Sequence, residues 1–81
     1  MKINLIFYAV LQETISEDPL LLEVKKGCTA EQVLELLADK FPQAAPILKS
    51  TRLANEDEYV GKQTLLTDGA EYCLIPPVSG G

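Results

Sequence analysis

Thr29 followed three residues later by Gln32 is the most constraining feature of this sequence. A hydroxyl and an amide at that spacing satisfy the exposed N–H groups of a helix start and fix where the helix begins. Val33, Leu34, Leu37 and Phe41 then recur on one face. Pro42 ends the run, because proline disfavours helical geometry in the preceding residue and has no N–H for the next bond. The spacing predicts one main helix between Thr29 and Pro42, with an apolar stripe that must be buried against another element.

The rest of the chain supplies strands to bury it. From Lys2 to Ala9, Ile3, Leu5, Phe7 and Ala9 alternate at period two and are expected to face inward, leaving Lys2, Asn4, Ile6 and Tyr8 outward. Ile6 and Tyr8 thus form an outward apolar patch that calls for a cover. Val10 to Ile15 reads as a short helical turn, Ser16 to Pro19 as a turn, and Leu20 to Val24 as a second strand closed by Lys26 and Gly27. Gln43 to Ser50 is a connection with one helical turn, followed by short strand pieces at Arg52–Asn55 and Glu58–Val60. Thr67, Asp68 and Gly69 make a turn into a last strand from Glu71 to Ile75. The predicted class is α+β, a single domain over residues 1–81 with the main helix on one face of a mixed sheet.

Composition narrows the function. Hydrophobic residues at 47% and charged residues at 23% suffice for a packed core. The net charge of −5 repels phosphate backbones and anionic membranes, so neither nucleic acid nor a membrane is an expected partner. No apolar run approaches the roughly 20 residues that cross a bilayer, and Met1 to Ala9 lacks the pattern of a secretion signal, so the expected location is cytoplasmic. Cys28 and Cys73, without a disulfide framework, are expected as reduced, buried thiols. There is no histidine, which removes the usual general base and the commonest metal ligand; no metal site and no self-contained catalysis are expected. Glu31, Glu35 and Asp39 align along the helix, as a contact stripe for a basic partner or as an ordinary solvated face.

The unusual feature is the end: Pro76, Pro77, Val78, Ser79, Gly80, Gly81. Two prolines end sheet pairing and hold an extended course, and six residues reach at most about 20 Å. Two glycines let a terminal carboxylate pass along a channel too narrow for side chains. Once adenylated by a separate ATP-using enzyme, the Gly81 carboxylate would accept a sulfur nucleophile and become a thiocarboxylate on an arm. The alternative is a ragged tail without function.

Three segments carry a family resemblance: Phe7 to Glu13, Leu53 to Val60, and Leu66 to Gly81 with its run Ile75, Pro76, Pro77, Val78, Ser79, Gly80, Gly81. Along nearly its whole length the chain resembles the small subunits of molybdopterin synthase, sulfur carriers of the ubiquitin-like β-grasp class. The resemblance implies a β-grasp fold with residues 76–81 as a protruding tail. It implies activation of Gly81 by an E1-like enzyme at the expense of ATP, and loading by a sulfur donor protein. It also implies insertion of the tail into a large synthase subunit within a heterotetramer, delivering sulfur for the dithiolene of molybdopterin, with no permanently bound cofactor. Tyr8, Tyr59 and Ile75 are the matching candidates for the docking surface. Gln12 and Ala70 depart from the family pattern, outside the tail. Carriage of sulfur for thiamine or another pathway, and a non-catalytic ubiquitin-like interaction module, remain as alternatives.

Overall fold

The computed structural model describes residues 1–77. In chain order the elements are β1 (Lys2–Phe7), α1 (Val10–Thr14), β2 (Leu20–Glu23), α2 (Ala30–Lys40), a 3₁₀ turn (Pro42–Ala44), α3 (Ala45–Leu48), β3 (Arg52–Ala54), β4 (Tyr59–Val60) and β5 (Glu71–Ile75). The five strands form one sheet in the order β2-β1-β5-β3-β4. β1 and β5 pair in parallel, and every other neighbouring pair is antiparallel.

The capping box is present at α2. Gln32 N donates to Thr29 Oγ1 at 3.3 Å, and Thr29 N donates to Gln32 Oε1 at 2.9 Å. The remaining donors of the first turn are taken by the loop after β4: Ala30 N by Thr64 O at 3.1 Å and Glu31 N by Lys62 O at 3.0 Å. The helix start is thereby pinned to a distant part of the chain, and its N–H groups are used up rather than held open for an anion. Val33 and Leu37 are fully buried in a core shared with Ile3, Leu5, Phe7, Leu53 and Leu74, while Leu34 and Phe41 are partly buried at its margin.

Two expectations need correction. Ala9, expected to face inward at the end of the first strand, is exposed and lies outside it, because β1 stops at Phe7. The chain turns there into α1: Leu11 N donates to Tyr8 O and Gln12 N to Ala9 O, at 3.1 and 3.0 Å, so carbonyls that would have extended the ladder serve the helix instead. The turn sets Ala9 at φ 52°, ψ −131°, a region that crowds Cβ against the backbone. The connection from Gln43 to Ser50 holds the expected helical turn as the four-residue α3, together with the end of the 3₁₀ turn, and buries Ala44 and Leu48. β3 also ends one residue early, because Asn55 Oδ1 accepts from Asp57 N and Glu58 N and folds the chain back.

The turn before β5 is fastened to the first strand. Lys2 N donates to Asp68 Oδ1 at 2.8 Å, Gly69 N to Lys2 O at 2.7 Å, and Asn4 N to Ala70 O at 2.9 Å. Gly69 sits at φ 80°, where a side chain would be strained.

Replacing Ala9 by glycine relieves a strained backbone at the cost of some chain entropy. Ala9→Gly is expected to raise folding stability by about 1 kcal/mol, whereas Leu37→Ala should lower it by about 2–5 kcal/mol. Both are read from urea midpoints, with an unchanged slope showing that the mechanism of unfolding is the same.

Candidate functional site

The sheet has two unlike faces. Its inner face meets α2; its outer face carries no helix among the described residues. The registers put residues side by side in rows across that outer face. One row is Leu21, Asn4, Glu71. The next is Ile6, Cys73, Ala54, Tyr59. The third pairs Ile75 with Arg52 and is extended by Tyr8, the residue after the end of β1. The burial pattern of β5, with Tyr72 and Leu74 buried and Glu71, Cys73 and Ile75 more open, fixes the same assignment.

Tyr8, Tyr59 and Ile75, singled out from the sequence, therefore share one face at the end of the sheet where β5 finishes. Tyr8 is 44% exposed and Tyr59 50% exposed, large apolar rings left to water. Ile6, two residues before Tyr8 on the same face of β1, is half-buried beside Cys73. Leu21, 63% exposed, adds an apolar side chain at the far corner of this face, and was not singled out from the sequence.

Cys73 also belongs here, which corrects its expected burial: it is only partly covered, whereas Cys28 is buried as expected. Alternation from Glu71 and Ile75 already placed Cys73 outward; the apolar character of the thiol argued for the core. Cys73 Sγ lies 3.7 Å from Tyr8 Oη as hydrogen-bond donor. The pKa of the Tyr8 hydroxyl is raised, first by its hydrogen-bonding and charge interaction with Cys73 and then by desolvation. Burial pushes the Cys28 thiol up as well.

Arg52 was missed as a site residue. Its guanidinium carbon lies 4.1 Å from the centre of the Tyr59 ring, a cation on an aromatic ring at the border of the patch. The acidic stripe on α2 is partly occupied within the fold, since Gln63 Nε2 donates to Glu31 Oε2 at 2.7 Å, while Glu35 and Asp39 are exposed. Among the described residues no group of three or more potential metal ligands converges.

β5 pairs through Ile75 and no further. Pro76 is buried and Pro77 exposed, so the chain passes from the interior of the sheet to its surface beside Tyr8 and Arg52. Val78, Ser79, Gly80 and Gly81, the remainder of the expected tail and its reactive carboxylate, lie outside the described residues.

This arrangement, a helix held across a mixed five-stranded sheet whose central parallel pair joins the first and last strands, is that of the ubiquitin-like β-grasp domains. The chain belongs to the ThiS family, whose model matches residues 5–81. It is similar over its full length to curated molybdopterin synthase sulfur carrier subunits: 32% identical to that of Aedes aegypti, covering 90% of it, and 30% identical to that of Chlamydomonas reinhardtii, covering all of it. Among solved structures, the putative molybdopterin converting factor subunit 1 of Pyrococcus furiosus superposes with a TM-score of 0.79 at 18% identity. The match covers 95% of this chain and 98% of that one. The small archaeal modifier protein 1 of Haloferax volcanii gives the same values. At such identities these two establish the shared fold.

The two thiols are expected to separate cleanly in reactivity. Brief treatment of the native chain with iodoacetamide should place one adduct, on Cys73, read by peptide mass. Cys28, buried and with its pKa raised, should react only at higher pH than an ordinary thiol or after unfolding.

Proposed function

We propose that this chain is the sulfur carrier subunit of a molybdopterin synthase, working in the cytoplasm as a cosubstrate rather than as a catalyst on its own. The observation that carries the reading is the position of the outward patch. Tyr8, Tyr59 and Ile75 flank the point where β5 gives way to Pro76 and Pro77, so a partner that covers the patch receives whatever follows Pro77. Full-length similarity to carrier subunits from an insect and a green alga supports the pathway.

The chemistry follows from the groups the sequence provides. The Gly81 carboxylate attacks the α-phosphorus of ATP on an E1-like enzyme; pyrophosphate leaves and an acyl-adenylate forms. Hydrosulfide supplied by a donor protein then attacks the acyl carbon, the bond to AMP breaks with loss of a proton, and a thiocarboxylate remains. Held on an arm of glycines, that sulfur is presented at high effective concentration inside the large subunit, where it is transferred to the pterin precursor of the dithiolene. Two small and two large subunits make the assembly. Two unpaired cysteines and the absence of a long apolar helix among the described residues support a reducing, aqueous setting.

Incubation with the adenylating enzyme, ATP and a sulfur source should raise the intact mass by the difference between sulfur and oxygen. Loss of Gly80 and Gly81, or one residue added after Gly81, should abolish the gain. An unchanged mass under conditions that load a known carrier rejects the proposal. Separately, Tyr8→Ala should weaken binding to the large subunit by roughly tenfold or more without lowering the melting temperature, as expected for an exposed residue that matters only when covered.

A further inference from the structure

The outer face of the sheet is not uniformly apolar, and the exception lies next to the tail. Of its outward strand residues, two are basic. Lys2 sits at the far end of β1, opposite Glu23 on β2. Arg52 sits at the near end, opposite Ile75, the last residue of β5. In a chain of net charge −5, Arg52 is thus the one cation of the sheet at the point from which residues beyond Pro77 depart.

Its local chemistry sets what it can bind. The guanidinium is carried at 4.1 Å from the centre of the Tyr59 ring, and Ala54, the cross-strand partner of Tyr59, leaves no long side chain between them on that face. A ring face attracts the charge and limits the rotamers of a long side chain, but it offers no acceptor oxygens for the five N–H donors. In water those donors are hydrated. A partner that covers Tyr8, Ile75 and Tyr59 removes that water from one side of Arg52, and an uncompensated charge under an interface is costly. A planar, ring-held fork is the geometry that carboxylates take in bidentate fashion.

We infer that Arg52 is the charge-selecting residue of the docking face, and that the large subunit places a carboxylate side chain against it at the mouth of the channel that receives the tail. The inference rests on the docking reading above and adds the chemistry of the partner surface. Tyr59 has two parts in it: an apolar contact for the partner and the platform that holds Arg52. Electrostatic selection at this point discriminates among partners that all present apolar surfaces to the same patch.

The test is calorimetric titration of the purified cognate large subunit with the full-length chain at two salt concentrations. The variants are Arg52→Ala, Arg52→Lys, Arg52→Glu and, as a control on the docking reading, Tyr8→Ala. Arg52→Ala should weaken binding roughly thirtyfold and flatten its salt dependence. Arg52→Glu should weaken it further, and Arg52→Lys should recover only part of the loss because lysine is neither planar nor bidentate. Melting temperatures should match the parent, since Arg52 is exposed. Parent-like affinity and salt dependence for Arg52→Ala, with Tyr8→Ala weakened, overturn the inference and leave the docking reading standing. A lysine variant that binds like the parent also overturns it. Parent-like binding by both Arg52→Ala and Tyr8→Ala rejects the docking reading itself.

Discussion

The parallel ladder between β1 and β5 is the constraint on which the rest of the structure depends. It brings the first strand of the chain beside the last, in the register Asn4–Glu71, Leu5–Tyr72, Ile6–Cys73, Phe7–Leu74. A slip of one residue would turn Tyr72 and Leu74 out to water and Glu71 and Ile75 into the core. The register is held from outside the ladder, by Asp68 and Gly69 hydrogen-bonded to the backbone of Lys2. Core, outward patch and exit point are therefore set by one pairing, and the turn at Thr67–Gly69 works as its index.

A parallel pair needs a crossover, and the crossover here contains α2. The helix covers the inner face and is anchored at its start by the loop at Lys62–Thr64, which lies between β4 and β5. One face of the sheet is thus closed within the chain, and the other leaves the Tyr8 and Tyr59 rings to water. In the function proposed above, this division of labour lets a chain without histidine and without a converging metal-ligand set among its described residues serve in group transfer. Its structure supplies presentation, and the reactive chemistry is left to the partner proteins proposed above.

Much of this was legible in the sequence where a signal is local and repeated. The capping residues Thr29 and Gln32, the stop at Pro42 and the strand Glu71–Ile75 fell where they were read. Outward placement of Tyr8, Tyr59 and Ile75 followed from alternation and resemblance together. Ala9 was misread because alternation carries no information on whether a carbonyl will be claimed by a following helical turn. Cys73 was misread because residue type was weighted above its position in the period. Arg52 could not be found locally at all: its contact with Tyr59 exists only because β4 returns along β3, a pairing spaced by the side-chain turn at Asn55. The role proposed for Gly81 rests on terminal-group chemistry, which no pattern of burial encodes.

The central position of β5 has a mechanical corollary. Its hydrogen bonds run to β1 on one flank and β3 on the other, and its last paired residue precedes a buried proline. Tension applied beyond Pro77 and resisted at the first residues of the chain loads the parallel ladder in shear, so that its bonds share the force instead of opening one by one. Held on both flanks, β5 would pass traction applied at Pro77 to the whole sheet before any strand peels away.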